Sequence, residues 1–252
     1  MPLSFKNKTL IITGAGLGIG FEIAKQLSYQ GANVVINDID EHVGQKAANS
    51  LVNCKFLAGD AGDLTVIENL IALALDSFGS LDFIIPNAGI TSFGPFLDYT
   101  KKQLDDLLHL NIQGTFFLAQ QGAKQLIKQK KGGRIILISS ITGIKPHDEL
   151  EAYGMTKAAI AFLASALSKQ MGPHGITVNC ITPGATATER TLDNDDYEKG
   201  WSKIIPTRQV AQTSDIAAAA LFLLSDAANH INGQNIVIDG GWNQVGPMPD
   251  NI

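Results

Sequence analysis

The chain has 252 residues, of which 45% are hydrophobic and 17% charged, with 25 Gly, 9 Pro and 7% aromatics. That much apolar residue over that length can bury a full core, which excludes disordered, collagen-like and coiled-coil readings. With 19 Lys and Arg against 24 Asp and Glu, a net charge of -5, nothing general points to nucleic acid or anionic lipid, and a small molecule or protein is the better expected partner. Cys54 and Cys180 stand far apart with no CxxC, so spacing argues for neither a disulfide framework nor a zinc cluster. Both read as buried thiols in a reducing compartment. The N-terminal stretch lacks the apolar run of a signal peptide, and the longest apolar run, 216–224, is too short to cross a bilayer, so a cytoplasmic protein without membrane contact is expected.

In chain order, short β-branched-rich runs at 10–12, 33–36, 83–85, 134–138, 176–181 and 235–238 fit strands buried on both faces of a parallel sheet, with 54–58 a weaker seventh. Between them Ile19, Ile23 and Leu27, and then Leu64, Ile67, Leu70, Ile71 and Leu75, recur at steps of three and four, each set on one helix face. The alternation predicts an α/β fold: a doubly wound sheet of about seven parallel strands with helices on both faces and right-handed crossovers. No linker, charge block or repeat interrupts it, so residues 1–252 read as a single domain. The segment 186–206, with Asp193, Asp195, Asp196 and Glu198 around Trp201, reads as a polar excursion over the surface that covers the substrate.

The first strand runs into Thr13-Gly14-Ala15-Gly16-Leu17-Gly18-Ile19-Gly20. The pattern GxGxxG fails, since Ile19 or Phe21 stands where its third glycine belongs, but GxxxGxG fits through Gly14, Gly18 and Gly20. Such glycines let a strand-to-helix turn approach a pyrophosphate at the positive end of a helix beginning near Leu17. Taken alone, they fit a tight turn without ligand equally well. The second strand ends at Asp38, whose carboxylate could accept both hydroxyls of an adenosine ribose and repel a 2'-phosphate. Neither Ala15-Gly16-Leu17 nor Asn37 and Ile39 supplies a cation for that phosphate, so NAD is favoured over NADP. A solvated turn residue is the other reading, one that Asp40 or Glu41 would fit too.

After the fifth strand comes Tyr153-Gly154-Met155-Thr156-Lys157. A spacing of four on a helix puts phenol and ammonium on one face, where the positive charge favours the phenolate and lets it exchange a proton with an alcohol. By itself such a pair is most often a surface pair. In company with a nucleotide loop and an acidic end to the second strand, it points to catalysis.

With these residues in view the chain resembles the short-chain dehydrogenase/reductase family in its short single-domain form. The motifs are the glycine loop, Asp60, Asn87-Ala88-Gly89, Asn111, Ser139-Ser140, YxxxK at Tyr153 and Lys157, Pro183-Gly184 and Asp239-Gly240-Gly241. The resemblance implies Tyr153 as acid/base, Lys157 on the nicotinamide ribose, Ser140 rather than Ser139 on the substrate oxygen, and Asn111 positioning a proton-relaying water. It implies that Gly14, Leu17, Gly18, Ile19 and Gly20 meet the cofactor, that Asp60 and Ala61 meet its adenine, and that Asn87, Ala88 and Gly89 pack beside it. Pro183, Gly184 and Thr188 would touch the nicotinamide end. A homotetramer is implied too, with Ile160, Leu163 and Leu167 or the run 217–224 as contact faces unless core packing claims them. Hydride chemistry of this kind needs no metal, and no ligand spacing suggests one. The five histidines read as surface residues, His147 excepted.

The segment 141–152 between Ser140 and Tyr153 is rich in charge and hydrogen-bonding groups, which suits a sugar or polyol better than a steroid. His147, Glu149 and Trp242 are candidate substrate contacts, with Glu189 and Arg190 in the lid. Two alternatives stand beside this reading. A 3-oxoacyl-acyl-carrier-protein reductase could dock its carrier on Lys124, Lys128, Lys130 and Lys131, against which Asp38 argues because such enzymes generally use NADPH. A dinucleotide sensor or scaffold without turnover is the other.

Overall fold

The computed structural model describes residues 4–191 and 195–245. β1 (Thr9–Thr13), β2 (Asn33–Asp38), β3 (Cys54–Ala58), β4 (Phe83–Ile85), β5 (Gly133–Ile138) and β6 (Ile176–Pro183) alternate with α1 (Gly18–Tyr29), α2 (Glu41–Asn49), α3 (Leu64–Phe78), α4 (Lys101–Leu107), α5 (Thr115–Gln129) and α6 (Glu151–Met171). After β6 come β7 (Thr186–Ala187), α7 (Asp195–Ile204), β8 (Ala211–Gln212), α8 (Thr213–Leu224) and β9 (Asn235–Ile238). Seven strands form one parallel sheet in the order β3-β2-β1-β4-β5-β6-β9, at the seven places read from the sequence. The chain winds outward from β1 to β3, returns to β4, and winds outward again on the other side.

Strand residues point alternately to two apolar layers, which is why the runs are continuous. Leu10, Ile12, Val34 and Ile36 pack under α1, α2 and α8 with Ile23, Leu27, Ala47 and Ile216. Ile11, Val35, Ile84 and Ile135 face the other way, onto Ile67, Leu70, Leu118 and Ile160 of α3, α5 and α6. The helices start and stop on local signals. Asp40 caps α2 through Val43 N, Thr100 and Gln103 form a reciprocal cap on α4, and Gly79 ends α3 with φ 76°. α1 is the exception: Leu17 sits at its N-cap with no side-chain cap, and its first turn carries no acidic residue.

Three expectations are corrected. The segment 186–206 holds β7, which pairs in parallel with β8 beyond it, and the helix α7. Tyr197, Trp201 and Ile205 recur at steps of four and pack with Ala185, Val210 and Trp242, so an apolar stripe was hidden among acids. Asp193 lies outside the described residues. His109 is no plain surface residue: its ring is part-buried, with Nε2 3.3 Å from Asp60 Oδ2 and 3.7 Å from Asp63 Oδ1. Cys180 is buried as expected, but Cys54, on the outermost strand, is only half-buried. Core packing also claims Ile160, Leu163 and Leu167 and most of the run 217–224, and it leaves Phe116, Met155, Phe162 and Phe222 as exposed apolar residues of α5, α6 and α8. Among the described residues no helix is long and apolar enough to cross a membrane.

Candidate active site

Strands β1 and β4 are parallel neighbours from which the chain winds away to opposite sides, so the loops leaving their C-terminal ends diverge and open a crevice. A cleft of about 700 Å³ lies there, lined by Gly14, Leu17, Gly18, Ile19 and Gly20 on one side and Asn87, Ala88, Gly89 and Ile90 on the other. Asn87 Nδ2 donates to Thr13 O and to Gly14 O, both at 2.9 Å, and Thr13 Oγ1 accepts from the amides of Asn87 and Ala88 at 3.2 Å. The glycines are required by contact. A Cβ on Gly14, whose φ is 60°, would stand 2.8 Å from Ala88 Cα, and one on Gly20 would stand 2.5 Å from Asn87 Nδ2 and from Gly14 O. Backbone thus forms the cleft floor at the uncapped start of α1, as a pyrophosphate needs.

At one end Asp38 closes the cleft. Its Oδ2 accepts from Gly16 N at 2.9 Å and its Oδ1 from Asp40 N at 3.1 Å, which fixes the carboxylate and leaves lone pairs on both oxygens for hydroxyl donors. Asp60 and Ala61 line the same end, with Asp60 held by Gly62 N at 2.8 Å and by His109.

The other group of expected residues gathers where β5 meets α6. Ser139 Oγ donates to Lys157 O at 2.7 Å and is buried, so its hydroxyl is spent on holding the strand to the helix. Ser140 is only part-buried, and its Oγ accepts from Thr142 N and Thr142 Oγ1 at 3.3 and 3.0 Å, which leaves its own proton free to donate. Lys157 is 5% exposed, with Nζ donating to Ile138 O at 3.0 Å and standing 5.6 Å from the centre of the Tyr153 ring. Asn111 sits in a π-helical turn, Leu108–Gly114, between α4 and α5 and is fully buried. Its Oδ1 accepts from Ile90 N at 2.9 Å, while Nδ2 donates to Ile90 O at 3.0 Å and to Thr156 Oγ1 at 3.2 Å. Both amide donors being committed, any water it positions is held through Oδ1 or the main chain. Asn111 Oδ1 and Lys157 Nζ meet at Gly89, where a Cβ would lie 3.1 and 3.5 Å from them. Burial and loss of hydration push the Cys180 thiol, near Lys157, up to about 11, so it is protonated at neutral pH.

Pro183 and Gly184 end β6 against β9, with Gly184 N donating to Ile238 O at 2.8 Å, and Thr188 lines the cleft. The candidate substrate contacts His147, Glu149 and Trp242 are not among the residues lining the cleft. Glu149 is exposed, in a left-handed conformation with φ 64°, and its carbonyl accepts from Gly94 N. His147 is exposed and 6.5 Å from the Trp201 ring, which in turn meets the Trp242 ring edge-on at 4.8 Å. Lys145 Nζ lies 4.7 Å over the Trp242 ring and donates to the carbonyls of Trp242 and Val245 at 3.2 and 2.7 Å. Gly16, Lys145 and Thr156 lie inside segments read from the sequence, but their contacts with Asp38, Trp242 and Asn111, like that of His109 with Asp60, join parts of the chain distant in sequence. Among the described residues no group of three or more His, Cys, Asp or Glu side chains forms a metal-holding cluster.

Comparison with known proteins agrees with this geometry. A family model described as enoyl-(acyl carrier protein) reductase matches residues 14–243. The chain is 34% identical over 246 residues to an L-rhamnose 1-dehydrogenase (NAD(P)(+)) of Azotobacter vinelandii, covering 93% of this chain and 96% of the relative. It is 35% identical over 241 residues to a 3-oxoacyl-acyl-carrier-protein reductase of Chlamydia trachomatis, covering 93% and 97%. The solved structure of a 3-ketoacyl-(acyl-carrier-protein) reductase from Brucella melitensis complexed with NADH superposes with a TM-score of 0.90 at 26% identity, over 95% of this chain and all of that one. A seven-stranded parallel sheet, a glycine-floored crevice, YxxxK beside it and these full-length similarities have one common explanation: the chain belongs to the short-chain dehydrogenase/reductase family of oxidoreductases.

Proposed function

We propose that the protein is an NAD-preferring dehydrogenase that transfers a hydride between the nicotinamide and a secondary alcohol, with a sugar or polyol hydroxyl as the favoured donor. The observation that carries this reading is the buried amino group of Lys157. It stands beside the cleft with a carbonyl as its partner and, among the described residues, no carboxylate, one turn from Tyr153. Burying a cation without a counter-charge costs stability, and such expense marks groups kept for chemistry. When bound, the nicotinamide supplies the hydride acceptor or donor. Tyr153 would then exchange the proton of the substrate oxygen, Ser140 would donate a hydrogen bond to that oxygen, and Lys157 would hold the cofactor ribose. Asn111 locks the β4 loop to α6 and so fixes Lys157 against Gly89. The segment 186–206, now seen to carry α7, covers the substrate side.

Preference for NAD is supported by Asp38, whose fixed carboxylate opposes a 2'-phosphate. The sugar reading is supported by the rhamnose-oxidising relative and by the polar segment 141–152. A second reading, reduction of a 3-oxoacyl carrier substrate, is favoured by the Chlamydia relative and by Lys124 and Lys128, which line a shallow groove on α3 and α5. A homotetramer fits the exposed Phe116 and Phe162, and light scattering behind gel filtration would count its subunits. The deciding experiment offers the enzyme NAD or NADP with aldoses, polyols and simple secondary alcohols, and NADH or NADPH with a 3-oxoacyl thioester. The expected result is NAD-linked oxidation of an aldose or polyol, lowered by at least about a hundredfold in Tyr153→Phe. Equal inertness of wild type and Tyr153→Phe with dinucleotide still bound would make the protein a sensor instead.

A further inference from the structure

The start of α1 is uncapped by its own sequence, yet it is not bare. Gly18 N donates at 2.9 Å to Glu189 Oε2, a carboxylate brought from 171 residues away by the segment that follows β7. Leu17 at the N-cap offers no side-chain acceptor, and the first turn has no acid. The partial positive charge of the helix end is therefore met by a glutamate at the position where the cofactor reading puts a pyrophosphate. Both anions cannot hold one N–H. The Gly18–Glu189 contact is exposed, so water and salt weaken it, and it is cheap to break.

The charges on the cleft sharpen the point. Among the described lining residues Asp38, Asp40, Asp60, Asp106 and Glu189 carry carboxylates, and Arg190 is the one permanent cation. Arg190 is exposed and makes no ion pair or hydrogen bond among the described residues. A doubly charged pyrophosphate entering this cleft meets a repulsive wall, unless Glu189 leaves and Arg190, its neighbour in the chain, takes its part.

We propose that Glu189 and Arg190 form an anion-exchange pair: Glu189 is the internal competitor that occupies Gly18 N–H in the free enzyme, and Arg190 is a pyrophosphate-binding residue that engages once Glu189 is displaced. The proposal rests on the dinucleotide reading of the cleft. It makes cofactor affinity a difference between two anions at one helix end, and it ties entry of the pyrophosphate to a swing of the Glu189 and Arg190 side chains.

Calorimetric titration without substrate tests it, using NAD, ADP-ribose and adenosine on wild type, Glu189→Gln, Arg190→Gln and Asp106→Asn. Glu189→Gln keeps the size of the side chain and removes its charge. It should bind NAD and ADP-ribose roughly threefold to fivefold more tightly, the worth of an exposed competing contact, and adenosine unchanged. Arg190→Gln should weaken the two pyrophosphate ligands by a similar factor and again spare adenosine. Asp106→Asn removes a cleft charge that does not touch Gly18, and should tighten binding far less. If Glu189→Gln binds NAD no more tightly than wild type, or if Asp106→Asn matches it, the exchange is wrong while the dehydrogenase reading stands. If wild type binds none of the three ligands, the cofactor reading itself falls, and this proposal with it.

Discussion

Asp38 shows how far a single side chain can be reasoned about. Its two oxygens are each held by one backbone amide, Gly16 N and Asp40 N, so the carboxylate is pinned rather than free to swing from an incoming phosphate. Replacing it by Ser should therefore relax the exclusion. We expect kcat/KM with NADP to rise and that with NAD to fall, changing their ratio by about a hundredfold, since one side is a lost hydrogen-bonded contact and the other a lost repulsion. Steady-state rates with both cofactors check this, and an unchanged ratio would place the ribose elsewhere. Asp38, Tyr153 and Lys157 stand out in the sequence as candidates because the signal is local: the end of a strand, and a spacing of four on a helix. The choice of Ser140 over Ser139 rested on resemblance, and the geometry adds its physical ground, since Ser139 is spent on Lys157 O. From the sequence Glu189 reads as a lid residue but not as a partner of Gly18, and His109 reads as a surface residue, because the contacts with Gly18 and with Asp60 join parts of the chain that no local pattern links.

At the scale of elements, α1 is positioned by what its first turn lacks. Gly20 lets the helix lie against Asn87 and Gly14, and a methyl group there would press on an amide nitrogen and a carbonyl oxygen, both at 2.5 Å. Gly20→Ala should cost about 1–3 kcal/mol, a fall of several degrees in Tm, and weaken dinucleotide binding by prising α1 from the β4 loop. Gly200 in α7 has nothing within 4 Å of its Cβ position and is the matched control. Gly200→Ala should be neutral or stabilising by about 0.5–1 kcal/mol, the helix-propensity gain alone. Thermal melts of the two variants separate these outcomes. β1, β2, β4, β5 and β6 were readable because burial on both faces makes their sequences largely apolar, whereas the edge strand β3, part-exposed and carrying Lys55, gave the weaker signal. α7 was not readable as a helix, because Tyr197 and Trp201 lie among Asp and Glu residues and the apolar stripe is only one residue wide. The π-turn around Asn111 gives no sequence signal either; it is set by the hydrogen bonds that Asn111 makes to Ile90 and Thr156.

Over the whole molecule, the order of the strands does the arranging. Because β1 and β4 are adjacent while the chain winds away from them on both sides, residues from the first fifth of the sequence and from its middle converge on one crevice. The segment beyond β6 then returns across the far side, where Trp201 of α7 meets Trp242 beyond β9 and Lys145 grips the carbonyls around that second indole. Those are the only two tryptophans in the chain. Every photon of indole emission therefore originates at the junction of α7, the loop carrying Lys145 and the turn after β9, and the protein carries its own optical gauge of whether they are joined. Wild type should show a structured near-ultraviolet circular dichroism band that either Trp201→Phe or Trp242→Phe abolishes, and an emission maximum that moves when ligand displaces α7. A band that survives either replacement would mean that the two rings do not touch in solution.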